Sequence, residues 1–386
     1  MLQKHQNRLL IKIIIAMKGL FCGSFDPFTL GHLEAIKQAL QKCDELIISI
    51  TPGLDKEISL FSANQRRQLI QQSLEEFNIR NVPVICDSRS MVDNALSHNA
   101  NILFMWAHES IITADTSQPT KLAEIYQQMA QIRGFSLTTE FIVTHNSFDK
   151  PGSTSSIKQL CQAGEYIIVA NMVPQCVHQE LMCKFLQPTF ASAYAFNTFP
   201  DNEWQTITQA YRPRNYHNMS HLGYMINMLI IYLSQHQLPK IDKQTIILAI
   251  FIHDYVQDVT RSDNEEKSLQ SFNFSHLTSD RYSQIEKLVL ATKHNQDNLT
   301  YNEALIADLD LSILGTFSPQ TWEKYCNGVR KEYAIFSDSS YNKGRIKFLF
   351  SLLKKKRIFQ TDFFYNMLEQ QARQNIKAEL HHLQAK

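Results

Sequence analysis

His217 and His221 stand four residues apart in "YHNMSHLGYM", a spacing that places both on one face of a helix. His253 and Asp254 are adjacent in "AIFIHDYV", and Asp308 and Asp310 lie in the apolar stretch "ALIADLDLSILG". A His-Asp pair on an apolar helix leaves a buried charge unless a metal or a partner satisfies it. Imidazoles with carboxylates and no thiolate have the composition of a divalent-metal site. Asp308 and Asp310 point about 200° apart on a helix, so both cannot face one ion without irregular backbone.

A second candidate lies near the start, in "GSFDPFTLGH", which follows a short apolar run. Gly23, Ser24, Gly31 and His32 fall on a strand-to-helix turn of the kind that receives phosphate. Glycine permits close backbone approach, and a helix beginning near Leu30 aims amide N–H groups at an anion. His32, in the first helical turn, adds a donor. The chain has no GxxxxGK[ST] sequence, so this is not a P-loop.

The elements that must hold these residues differ between the two halves. "GLFCGSF", "ELIISIT", "VPVIC", "NILFMW" and "TTEFIVT" read as strands, with helical periodicity between them. Ser62 serves as N-cap of "SANQRRQLIQQSLEEF". This alternation predicts an α/β fold, a parallel sheet with helices on both faces. Beyond about residue 200 long helical patterns take over, which predicts a separate all-α domain. The expected division is a tail over 1–16, a first domain over 17–187, a linker over 188–200 and a helical domain over 201–386.

The chain's 386 residues suit two domains, and 44% apolar with 19% charged residues marks a globular protein. A net charge of +1 gives no electrostatic reason to expect nucleic acid or an anionic membrane as partner. Seven cysteines without a CxxC pair argue for a reducing compartment and buried thiols, Cys22 among them, rather than disulfides or a zinc ribbon. The N-terminal run "RLLIKIIIAM" is broken by Lys12 and too short to span a bilayer, so a cytoplasmic protein is expected.

On "MKGLFCGSFDPFTLGHLEAIKQAL", "LFSANQRRQLI", "MVDNAL" and "STSSIKQLCQAGE…NMVPQCV", residues 17–185 resemble the nucleotidyltransferase superfamily, most closely phosphopantetheine adenylyltransferases. The resemblance implies a Rossmann-like fold and transfer of AMP from ATP, with Mg²⁺, to a phosphate acceptor such as 4′-phosphopantetheine in coenzyme A synthesis. It assigns nucleotide binding to Gly23, Ser24, Phe25, Gly31, His32, His108, Thr154, Ser155 and Ser156. Catalysis falls to His32 and to Lys56, the latter gripping the acceptor phosphate. Where that family carries an Arg-Gly-Leu-Arg segment, this chain reads Met105 to His108, "MWAH". Met cannot supply the charge and planar donors of Arg.

Residues 200–386 resemble the HD superfamily of metal-dependent phosphohydrolases, on the His, His-Asp, Asp series and on "NEEKS", "TKHN", "VRKEY", "KGR" and "ARQN". "YHNMSHL" is also similar to cyclic-nucleotide phosphodiesterases. This second resemblance implies that His221, His253, Asp254 and Asp310 bind Mn²⁺, Mg²⁺, Fe²⁺ or Ni²⁺. Asp310 is preferred to Asp308 because it precedes "LS". His217 would protonate a leaving oxygen. Together the two likenesses imply a bifunctional enzyme using ATP and a phosphorylated small molecule. Related transferases are often oligomeric, so a homo-oligomer is expected by analogy. A second reading has the first domain bind a nucleotide without turnover and regulate the hydrolase.

Overall fold

A computed structural model describes residues 16–51, 59–108, 117–144, 154–194, 201–275, 277–296 and 298–385. Residues 1–15 of the expected tail and Lys56 lie outside the described residues.

Five strands form one sheet: β1 (Lys18–Gly23), β2 (Glu45–Ile50), β3 (Val84–Cys86), β4 (Ile102–His108) and β5 (Thr138–Thr144). Their order is β3-β2-β1-β4-β5, and every pairing is parallel. Helices α1 (Leu30–Leu40), α2 (Ala63–Glu76), α3 (Met91–Ser97) and α4 (Ser117–Ile132) connect the strands. Strands buried on both faces read as continuous apolar runs, and Leu20, Phe21, Ile48, Leu103 and Phe104 are at most 1% exposed. The chain order reverses direction at β1, between β2 and β4, so the end of β1 is the switch point at which such sheets bind ligands.

From α5 (Thr154–Gln162) onward the chain is helical. There follow α6 (Tyr166–Ala170), α7 (Gln175–Phe185), α8 (Gln187–Ala193), α9 (Asp201–Tyr211), α10 (Met219–Leu233) and α11 (Lys240–Ile252). Next come α12 (Asn264–Ser271), α13 (Ser279–Ala291), α14 (Tyr301–Leu311), a 3₁₀ turn (Ser312–Gly315), α15 (Pro319–Glu332), α16 (Asp338–Lys354) and α17 (Asp362–Gln384). No helix among the described residues is long and apolar enough to cross a membrane.

Two compact units result, one ending at Ser156 and reclaiming Met172–Pro174, the other comprising Ile157–Asn171 and Gln175–Lys386. The boundary therefore falls before the 187/188 division read from the sequence. Packing is the reason. His178 on α7 reaches Ser220 and the Tyr166 carbonyl at 2.7 and 3.0 Å, and Asn227 on α10 accepts the Ile167 amide. The expected linker begins as α8, whose Phe190 is fully buried against Trp204 and Phe251. Residues 195–200 lie outside the description.

The cysteines are free, and Cys86 is exposed where a buried thiol was expected. Burial, with help from Asp87, pushes the Cys22 thiol up to about 12, so it is no thiolate nucleophile.

Asp308 belongs to the fold. Fully buried, it accepts the Gln360 and Thr361 amides and the Thr361 hydroxyl, each at 2.7 Å, and so pins the entry to α17. Burial raises its pKa to about 6 against these hydrogen bonds. Asp308→Ala strands buried donors, each costing about 1–3 kcal/mol. A clear fall in Tm is expected, with divalent-ion binding retained. Loss of ion binding in a folded Asp308→Ala protein would contradict this assignment.

Candidate active sites

At the sheet's switch point, Thr29 caps α1 and its side chain accepts the His32 amide. The His32 ring answers as Glu or Gln does in a capping box: Nδ1 accepts the Thr29 amide at 3.1 Å. A neutral His32 with Nδ1 accepting carries its proton on Nε2. The ring packs against Phe25, Phe28 and Trp106, with centroids 5.1, 5.7 and 4.8 Å away. Trp106, unassigned from sequence, is fixed by a 2.8 Å bond from its indole to Thr144.

The expected phosphate cradle is narrower than the motif suggests. The Leu30 amide donates to Met172 O at 2.9 Å and the His32 amide to Thr29, which leaves Gly31 as the first-turn amide without a partner among the described residues. Gly23 is required by packing, since a Cβ there would sit 2.9 Å from the Phe25 ring. Phe25 itself holds φ +47, a left-handed conformation that a side-chain-bearing residue adopts only when its surroundings enforce it. Buried Asp26 supplies that enforcement by accepting the Leu60 and Phe61 amides at 2.8 and 3.0 Å, while Arg66 grips the Ser24 carbonyl. Thr154, Ser155 and Ser156 form the first turn of α5. The side chains of His108, Thr154 and Ser155 lie outside the description. Met105 is 8% exposed and packs with Leu20, Ile47 and Leu103, so the position that carries Arg in the similar family is core here.

In the helical unit, His221 (α10), His253 and Asp254 converge, with one ligand atom from each all within 4.8 Å of one another. His221 Nε2 lies 3.3 Å from His253 Nε2, and His253 Nε2 lies 2.9 Å from Asp254 Oδ2. Asp310 brings Oδ1 to 3.3 Å from His221 and 3.8 Å from His253, whereas Asp308 is committed to α17. His253 is the C-cap of α11 rather than an interior residue, and Nδ1 donates to Ile250 O at 2.8 Å, which turns Nε2 inward. Arg214 holds the carbonyls of Asp254 and Tyr255.

The charges fit a cation. Burial and then His253 act on Asp254 in opposite senses, and its carboxyl ends well below the usual range, as does that of Asp310. Burial alone would lower His253, but Asp254 and Asp310 raise it to about 9, so a proton stands where two carboxylates call for positive charge. His221 is held below its ordinary value by burial, leaving it neutral and able to ligate.

His217 does not share a helix face with His221, contrary to the spacing argument. Asn218 caps α10 by accepting the Ser220 amide, so His217 lies outside the helix. The two rings still meet, 5.6 Å apart. Glu332, at the end of α15, accepts from His217 Nδ1 at 2.5 Å and from the Tyr216 and His217 amides at 2.8 and 3.1 Å. Sequence reasoning gave Glu332 no role, although "VRKEY" contains it. His294, at φ +55, sets Nε2 2.8 Å from Asp310 Oδ2. Lys293 is bound to Glu266 at 2.7 Å.

Burial would lower the His217 pKa; Asp254 and then Glu332 outweigh it and raise it. Burial would raise Glu332, but His217 draws it down to about 2. The His217 contribution to stability is complete below its ordinary value of 6.5 and is lost as pH rises through the raised one. That of Glu332 is complete above 4.5 and is lost as pH falls toward about 2. Glu332→Gln is therefore expected to destabilise most between these ordinary values. If His217 acts as an acid, the alkaline fall-off of the rate moves to lower pH in this variant. On that limb the rate should drop about tenfold for a displacement of about one pH unit. An unchanged pH profile would contradict the pairing.

Residues 20–180 match the cytidylyltransferase-like family. Among solved structures, a lipopolysaccharide core biosynthesis protein from Thermoplasma volcanium GSS1 is 17% identical, covering 34% of this chain and 100% of its own, with TM-score 0.27. A putative nicotinate-nucleotide adenylyltransferase from Vibrio parahaemolyticus is 13% identical, covering 44% and 99%, with TM-score 0.30. A bifunctional NMN adenylyltransferase/ADP ribose pyrophosphatase from Francisella tularensis is 18% identical, covering 58% of each chain, with TM-score 0.31. Likenesses this weak bear on neither activity nor ligand. The N-terminal half of this chain carries a cytidylyltransferase-like domain of the nucleotidyltransferase type, built on a parallel five-stranded sheet.

Proposed function

We propose that the protein has two activities on phosphorus: adenylyl transfer in the sheet unit and divalent-metal-dependent phosphoester hydrolysis in the helical unit. The observation that carries the hydrolase is the convergence of His221, His253, Asp254 and Asp310 in a buried cluster backed by Ile250 and Arg214. These four would hold the ion. When bound, it supplies Lewis-acid polarisation and makes a water acidic. His217, oriented by Glu332 and with its pKa raised by Asp254 and Glu332, delivers a proton from Nε2 to the departing oxygen. His217 Nε2 lies 4.0 Å from Asp254 Oδ2, so acid and metal ligand face one reaction volume.

In the sheet unit, an acceptor phosphate monoester would attack the α-phosphorus of ATP and expel pyrophosphate. His32 Nε2 and the Gly31 amide would steady the developing charge, a role that needs no protein nucleophile. The burial of Met105 favours a second reading for this unit alone, in which it binds ATP without turnover and regulates the hydrolase.

Two assays separate these. Phosphate release from p-nitrophenyl phosphate with Mn²⁺ or Mg²⁺, abolished by chelation, tests the hydrolase; release that survives chelation rejects it. Pyrophosphate release from ATP with phosphate-monoester acceptors, 4′-phosphopantetheine among them, tests the transferase. Saturable ATP binding without release from any acceptor would select the regulatory reading.

A further inference from the structure

The net charge of +1 hides an uneven distribution. Between Asp338 and Asp362 stand seven lysines and arginines and no carboxylate. Three of the seven are spent within the fold. Arg345 is buried against Glu379 and the Tyr325 hydroxyl at 2.8 Å each, Lys355 donates to the His294 carbonyl at 2.9 Å, and Arg357 meets Asp362 at 2.9 Å. Lys343, Lys347, Lys354 and Lys356 are exposed, and no ion pair joins them to a carboxylate among the described residues. Glu369 and Glu379 of α17 are buried and already committed, one to Arg373 and the amides of Ile358 and Phe359, the other to Arg345.

Helix α16 turns Tyr341, Arg345, Leu349 and Leu352 inward. On its other side Lys343, Lys347, Phe350 and Lys354 follow at i, i+4, i+7 and i+11, one stripe about 16 Å long. Phe350, 41% exposed, stands between two of the lysines. Such a face costs the isolated fold something. Like charges at i, i+4 destabilise a helix, and a ring left in water forgoes its apolar burial. A stripe that served solubility alone would mix both signs and carry no ring.

We propose that this outward face of α16 is a docking surface for single-stranded nucleic acid, with Lys343, Lys347 and Lys354 following the phosphates and Phe350 stacking on a base. Single strands are held by this combination, cations that track the backbone and aromatic rings that take the bases. A lipid surface fits less well, because a helix that lies on a membrane presents its apolar face, and that of α16 is turned inward. A duplex fits less well too, since its bases are already stacked on one another. The surface is independent of both activities proposed above.

The test is fluorescence anisotropy of labelled oligouridylate and oligothymidylate, about twelve nucleotides long, with the full chain. EDTA is present and ATP absent, so neither proposed catalytic centre takes part. Binding of either strand is expected, and the tighter one identifies the sugar. The plot of log K against log salt concentration should have a slope of about −2 to −3, as for three or four counterions released from a single strand. Lys343→Gln, Lys347→Gln and Lys354→Gln together should remove about 2 from the size of that slope. This variant should melt at or above wild type, because it relieves the i, i+4 repulsion. Phe350→Ala should weaken single-strand binding by at least about fivefold, leave the slope unchanged and leave duplex binding untouched. Absence of oligonucleotide binding, a slope that the triple variant does not alter, or equal sensitivity of duplex and single strand to Phe350→Ala overturns the surface. Capture by phosphatidylserine vesicles, lost in the triple variant, with neither oligonucleotide bound, assigns the stripe to lipid and overturns it as well.

Discussion

Asp254→Asn is expected to abolish metal-dependent hydrolysis and to erase the stabilisation that divalent ions confer. Removing a residue that merely supports a metal ligand commonly costs 10–100-fold in affinity, so removing a ligand carboxylate should cost at least about 100-fold. An ion present at 100 times its Kd stabilises the folded state by about 2.7 kcal/mol. That increment should vanish from the melting curve of the variant. The apo protein should weaken as well, because Asp254 is the hydrogen-bond partner of His253. The His253 contribution is complete below its ordinary 6.5 and is lost as pH rises through about 9. The apo difference should therefore be greatest near or below neutrality and fade in alkali. Asp308→Ala is the control, since it too removes a buried carboxylate from the helical unit. A variant at Asp254 that still shows the ion-induced shift and hydrolyses normally would remove the cluster from the mechanism.

His32→Asn is expected to lower pyrophosphate release by about 10²–10³-fold, the usual effect of deleting one donor aimed at developing charge. The structural part of that loss should be small. The ring closes a capping box through the Thr29 amide, a bond worth about 1 kcal/mol. A fall in rate with little change in Tm would identify a catalytic donor. A large fall in Tm with a proportionate fall in rate would make His32 a member of the aromatic cluster with Phe25, Phe28 and Trp106 and nothing more.

Local pattern was enough for the order of strands and helices, because apolar periodicity is a property of adjacent residues. It also singled out His221, His253, Asp254 and the Asp308/Asp310 pair as candidates, since a His-Asp pair at the end of an apolar run is conspicuous in any chain. The tertiary structure decided what local pattern leaves open. Asp308 and Asp310 differ in which distant backbone meets them, the entry to α17 in one case and His221 in the other. Glu332 reaches His217 from 115 residues away, and the helix cap at Asn218 displaces His217 from the face its spacing suggested. Likewise the Phe25 ring adds a packing reason for Gly23 that the motif did not show, and α6 to α8 joined the helical unit because their apolar faces found partners there. Periodicity follows from covalent neighbours, whereas a carboxylate's role depends on the charges and donors that folding brings to it, and no spacing along the chain records those.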